Sequence, residues 1–195
     1  MKRITILLLL ALCLVFADRA HAQRQLPGMR GIQLTGGMTD GLYSSALDNE
    51  GGYYFGVAMA TYAKRGNKWV FGAEFMERYN PYRAAIRIPV SQFTAEGGYY
   101  LKIVSDPSKT FLLSLGVSGL AGYETVNWGE KSLYDGSTLR DEDGFIGGGA
   151  MTLEMETYLT DKIVLLLTGR ERVLWGNSTG HFHLQFGVGI KFIIN

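Results

Sequence analysis

His181-Phe182-His183-Leu184-Gln185-Phe186-Gly187-Val188-Gly189-Ile190-Lys191-Phe192-Ile193-Ile194-Asn195 closes the chain, and its reading decides the fold. Phe182, Leu184, Phe186, Val188, Ile190, Phe192 and Ile194 take every even position, while His181, His183, Gln185, Gly187, Gly189 and Lys191 take the odd ones. Successive side chains of a strand leave opposite faces, so a period of two gives one wholly apolar face and one that is polar or bare. A helix would scatter the same residues around its circumference.

The same alternation recurs upstream. It predicts strands near Arg30 to Thr39, Gly52 to Lys64, Lys68 to Tyr79, Ile88 to Val104, Thr110 to Val126, Gly144 to Leu159 and Lys162 to Trp175, eight in all with the last. Trp69, Phe71, Ala73 and Phe75 oppose Glu74 and Arg78 in the third. In the seventh, Ile163, Leu165, Leu167, Val173 and Trp175 oppose Thr168, Arg170 and Arg172. Connections alternate in length. Long ones are expected at Asp40 to Gly51, Tyr79 to Arg87 and Asn127 to Asp143, and short ones at Arg65-Gly66-Asn67, Ser105 to Ser108 and Thr160-Asp161. Short turns at one end and longer loops at the other are the outer-membrane barrel arrangement. The expected fold class is all-β: an eight-stranded antiparallel up-and-down transmembrane β-barrel with both chain ends in the periplasm.

The amino-terminal segment reads as an export signal. Lys2-Arg3 provide the charged start, Ile4 to Phe16 the apolar run, and Ala20-His21-Ala22 a small-x-small cleavage site, so residues 1–22 are expected to be removed after Ala22 and 23–195 to form the barrel domain. Leu10-Ala11-Leu12-Cys13 fits a lipoprotein cleavage box poorly. Cys13 is the single cysteine and lies in the leader, which leaves the mature chain without a thiol for disulfide, thiolate ligation or nucleophilic attack. Net charge is +1, with 19 Lys and Arg against 18 Asp and Glu, so no cationic excess exists to neutralise phosphates and no direct nucleic-acid contact is expected. Gly at 26 of 195 residues is about twice the usual share and Pro stands at four, a composition suited to sheet.

Period alone does not separate a barrel in lipid from a soluble lipocalin-like binder, which places its apolar face inward. Charge does. Glu74, Glu96, Glu124, Glu154, Glu156, Arg170 and Arg172 all stand mid-strand on the less apolar face, together with Gly and Ser, as a narrow closed interior requires. Five acids against two arginines leave that interior short of positive charge, so Arg78, Lys102, Lys191 or His183 would have to contribute. The other face is nearly free of charge except Glu171, which should sit near an interface. Trp69, Tyr79, Tyr99, Tyr123, Tyr158, Trp175 and Phe192 are expected in aromatic belts.

Specific stretches then become recognisable: Gly66-Asn67-Lys68-Trp69-Val70-Phe71-Gly72-Ala73-Glu74, Gln92 to Tyr100, Ala121 to Gly129, and Arg170-Glu171-Arg172-Val173-Leu174-Trp175-Gly176. In these the chain resembles the TraO family of conjugal transfer proteins of Bacteroidetes-type conjugative transposons. The resemblance implies an outer-membrane component of a type IV secretion-like DNA-transfer apparatus, structural or docking in role, with other conjugation proteins as partners and no catalytic residue. Gln185, Gly187, Ile190 and Phe192 also resemble the terminal-strand signal read by the barrel assembly machinery, although Ile193-Ile194-Asn195 follow the aromatic. Outer-membrane lipid is the remaining expected partner.

Other constellations are weaker. His181 and His183 could ligate a metal with Glu154, but two ligands on a strand are a common polar pair, and no metal or cofactor is expected. Ser114 or Ser118 with His183 and Glu124 would serve a small barrel hydrolase or acyltransferase, without any nucleophile-elbow signature. The loop Asn127 to Asp143, with Trp128, Lys131, Tyr134, Asp135 and Arg140, is the expected contact for a partner, because loops carry binding on a rigid scaffold.

Overall fold

The computed structural model describes residues 24–40, 51–82, 86–130, 138, 143–176 and 180–194, with backbone alone at 80–82 and 86–87. The leader, and Lys131, Tyr134, Asp135 and Arg140 of the loop, lie outside the described residues. Eight strands follow in order: β1 (Arg30–Thr39), β2 (Gly52–Tyr62), β3 (Lys68–Tyr82), β4 (Ile86–Ser105), β5 (Phe111–Val126), β6 (Gly144–Tyr158), β7 (Ile163–Trp175) and β8 (Phe182–Ile193). Each pairs antiparallel with its neighbour, and β1 closes on β8 through Gly31 opposite Ile193 and Thr39 opposite Gln185. The result is a closed eight-stranded antiparallel barrel.

Register around the wall sets its geometry. Paired residues run from Arg30 through Thr61, Trp69, Tyr99, Val117, Met151, Glu171 and Leu184, and Leu184 then meets β1 again at Asp40, ten residues along. That stagger tilts the strands by about 40° and leaves an interior that side chains fill. Tight turns close one end. Arg65 and Gly66 adopt positive φ of 65° and 81°, Asp106 Oδ1 accepts the Phe111 amide at 2.8 Å, and Thr160 Oγ1 accepts the Ile163 amide at 3.0 Å. Most of the stretch expected as a loop from Tyr79 to Arg87 is strand: β3 and β4 stay paired to Tyr82 opposite Ile86, with Pro81 and Pro89 accommodated where the ribbon has no further neighbour among the described residues.

Burial is inverted relative to a soluble protein. Phe145, Met38, Phe182 and Val117 are among the most exposed large side chains, while Arg172, Lys68 and Lys191 are 0% exposed. Apolar patches fill the remaining interior, one formed by Tyr62, Tyr158, Val164, Leu166 and Ile193 and another by Leu120, Ile146, Ala150 and Leu174. Two expectations for the wall need correction. Tyr158 points inward and donates to Tyr62, so it belongs to no belt. Glu77 joins Glu171 on the outer face, held at the rim by hydroxyls of Tyr53 (3.1 Å), Tyr79 and Ser91 (3.2 Å). Glu171 stands between Met151 and Leu184, four residues short of Trp175, a distance of about 10 Å along the barrel axis at this tilt.

Candidate functional site

Alternate residues of every strand converge on the barrel axis, and the stagger sorts their charges into three levels. At the level of the tight turns, Lys68 Nζ on β3 contacts both Glu154 and Glu156 on β6, and Lys191 Nζ on β8 contacts Glu156 and lies 3.8 Å from Glu154. Tyr62 donates to Glu156 at 2.7 Å and Tyr158 donates to Tyr62 at 3.1 Å. Lys68 and Lys191 also lie over the rings of Tyr100 and Tyr62, with the nitrogens 5.3 and 5.2 Å from the centroids. Two ammonium groups and two carboxylates cancel locally, which is the condition for burying charge at all.

Arg24 covers this end. Its guanidinium donates to Thr110 at 2.8 Å, reaches Asp161 at 3.5 Å and lies over the Tyr158 ring, while the Gly28 amide donates to the Tyr62 carbonyl.

The middle level is built on Glu74. It accepts from Arg170 at 3.0 Å, Arg172 at 2.7 Å and Gln185 at 2.9 Å. Arg170 turns its second nitrogen to Glu96, and Arg172 donates to Thr94 at 3.4 Å. Again two cations meet two anions. Between this level and the first lies a polar cavity of about 40 Å³ lined by Gln33, Thr35, Tyr54, Tyr100 and Thr152, roomy enough to admit water.

At the opposite mouth Asp40, with φ of 57°, accepts from Arg78 at 3.0 Å, from the Leu184 amide at 2.9 Å and from His183 Nδ1 at 2.9 Å. Gln92 donates to Glu124 at 2.7 Å beside it.

The structure thus places Glu74, Glu96, Glu124, Glu154, Glu156, Arg170 and Arg172 inside the wall. Of the groups expected to balance them, Lys191 pairs with Glu156, whereas Arg78 and His183 bond Asp40 instead; Lys102 lies against Gly66 at the lower mouth, with no ion pair among the described residues. Lys68 and Asp40 were not anticipated. Each stands at a strand end, where alternation is too short to assign a face.

The metal and nucleophile constellations are not assembled. Glu154 is held by Lys68 at one end, whereas His183 is held by Asp40 at the other, and His181 Nδ1 bonds the Leu174 carbonyl outside the strand. Ser118 faces Arg170, and Glu124 is bonded to Gln92. Gln185 and Gly187 point inward and Ile190 and Phe192 outward, along a terminal strand that closes the barrel. Trp128 is exposed in the turn Asn127–Gly129 with φ of 54°.

A sequence profile of the family described as conjugative transposon protein TraO matches residues 26–194. No curated protein matches the chain. Among solved structures, Neisserial surface protein A is similar at 12% identity over 87% of this chain and 98% of that one, with a TM-score of 0.53. Ail, the attachment invasion locus protein of Yersinia pestis, is similar at 11% identity over 87% and 100% of the two chains, with a TM-score of 0.49. At 12% identity the likeness to Neisserial surface protein A is one of fold.

Proposed function

The chain belongs to the TraO family of conjugative transposon proteins, and from that premise we propose that it spans the outer membrane as a plugged, non-enzymatic post of the DNA-transfer apparatus. The observation that carries this reading is the inverted polarity of the closed wall. Arg172, Lys68, Lys191 and Glu156 are fully enclosed while Phe55, Val117, Phe182 and Val188 are among the most exposed, an arrangement stable in hydrocarbon and unstable in water. Eight strands leave room for side chains and none for a nucleic-acid strand, so the barrel anchors and docks and conducts nothing. Partners are other transfer proteins, reached through the wall and the loops opposite the tight turns, with Trp128 to Arg140 as the principal loop contact.

The test is made in a donor strain. Deletion of the gene abolishes transfer, the protein fractionates with the outer membrane and resists carbonate extraction, and replacing residues 131–140 with a Gly/Ser linker lowers transfer while leaving the barrel folded. Recovery of the protein in the soluble periplasm would overturn the membrane reading. Unchanged transfer after loop replacement would remove the loop as a docking site.

A further inference from the structure

We infer that the flank of β5, β6 and β7 binds, within the membrane, a spanning segment of a different protein that presents a lysine or arginine to Glu171. This inference rests on the outer-membrane reading above and adds to it a site and the chemistry of its occupant.

Glu171 carries the case. It is half-buried on the outer face of β7, ringed by Met151, Leu184, Val173 and Gly169, and among the described residues nothing donates to it. The charges of the three interior levels are paired with one another, and the second outward acid, Glu77, is satisfied by three hydroxyls at the rim. A carboxylate near the middle of the apolar band is costly when it faces lipid, and such residues mark sites where a partner is met.

The wall beside it is shaped for close approach. Gly119 and Gly149 face each other across β5 and β6, and Gly149 faces Val173 on β7. A Cβ added at Gly119 would meet nothing within 4 Å, and one at Gly149 would touch only the Ser118 carbonyl, at 3.3 Å. Barrel packing therefore does not demand glycine at Gly119; a neighbouring backbone lying against the wall does. The same flank continues into a groove of about 840 Å³ over Ala73, Ala95 and Ala121.

Charge complementarity selects the occupant. The outward face of this chain offers a single cation among the described residues, Arg30, at the end of β1 and far below the level of Glu171. A second copy laid against this flank brings no positive charge to that depth. Lipid tails bring none either. A different membrane-embedded protein does.

The experiment measures transfer from donors carrying E171Q, E171L, E171D, G119W and, as a control on the far side of the barrel, L34W, each checked for outer-membrane fractionation and for the gel mobility of the folded barrel. Loss of one charge-assisted contact predicts a fall in transfer of about tenfold or more for E171Q and E171L. E171D retains most activity, G119W falls like E171L, and L34W does not fall. Purified E171L, freed of a charge in lipid, unfolds at a denaturant midpoint equal to or above the parent's, which separates lost docking from lost fold. Parental transfer by E171Q and E171L would show that the carboxyl meets no partner, and would sink the inference while leaving the outer-membrane reading intact. If deletion of the whole gene leaves transfer unchanged, it is that reading which fails instead.

Discussion

Replacing Glu74 with Leu tests the logic of the interior most sharply. Glu74 is 8% exposed and is the shared acceptor of Arg170, Arg172 and Gln185. Without it Arg170 keeps Glu96, but Arg172, wholly enclosed, is left with Thr94 at 3.4 Å and the Met76 sulfur at 3.6 Å. Removing one partner of a buried pair costs about 3–5 kcal/mol, chiefly because the survivor stays charged in a low-dielectric place. Replacing both partners with apolar groups of similar volume is close to neutral, so E74L/R172M should lie within about 2 kcal/mol of the parent although each single change costs more. The assay is guanidinium unfolding of the barrel in phospholipid vesicles, followed by tryptophan fluorescence, with the slope checked for constancy. An E74L midpoint equal to the parent's, or a double variant as unstable as the sum of the singles, would refute the claim that Arg172 is held by this carboxylate.

Four further outcomes are expected. Lys68→Met should destabilise by about 3 kcal/mol or more, since Glu154 and Glu156 would then share Lys191 alone; the same titration reads it. Gly148→Val should prevent recovery of folded barrel, because a Cβ there would strike the Val173 carbonyl, whereas Gly119→Ala should refold as the parent does, as judged by gel mobility before and after boiling. Variants retaining only Trp69 or only Trp175 should be quenched more by lipids brominated near the headgroup than by lipids brominated near the chain end, since both indoles are exposed towards the ends of their strands. In planar bilayers the purified barrel should show no sustained conductance; a steady open level would contradict an interior filled at three levels.

Much of the fold was legible because lipid imposes a simple rule on each strand. Once alternate residues are apolar over ten or so positions, face and strand count follow, and the β1 limits Arg30 and Thr39 are as the alternation predicts. Partnerships inside were not legible. Whether Glu74 meets Arg170 or Lys68 depends on the ten-residue stagger, a property of closure that no single segment encodes. Lys68 was missed because it opens β3 beside a turn, and Glu77 because one acid among Trp69, Phe71 and Phe75 does not disturb an apolar face. The stretch from Tyr79 was expected as a loop where the ladder in fact continues through Pro81, since proline is tolerated in a ribbon whose outer edges bond no further strand among the described residues.

That ribbon has a mechanical consequence. Beyond Arg78 and Val90, where the pairing to β2 and β5 ends among the described residues, β3 and β4 stay paired through four more positions, Tyr79 with Pro89 to Tyr82 with Ile86. Four residues of twisted hairpin make a mast about 13 Å long, rooted in the barrel through continuous hydrogen bonds and unable to swing as a tether would. Whatever grips the paired part of this ribbon is held at one height and one azimuth, so the orientation of the whole barrel in the bilayer becomes the orientation of the grip.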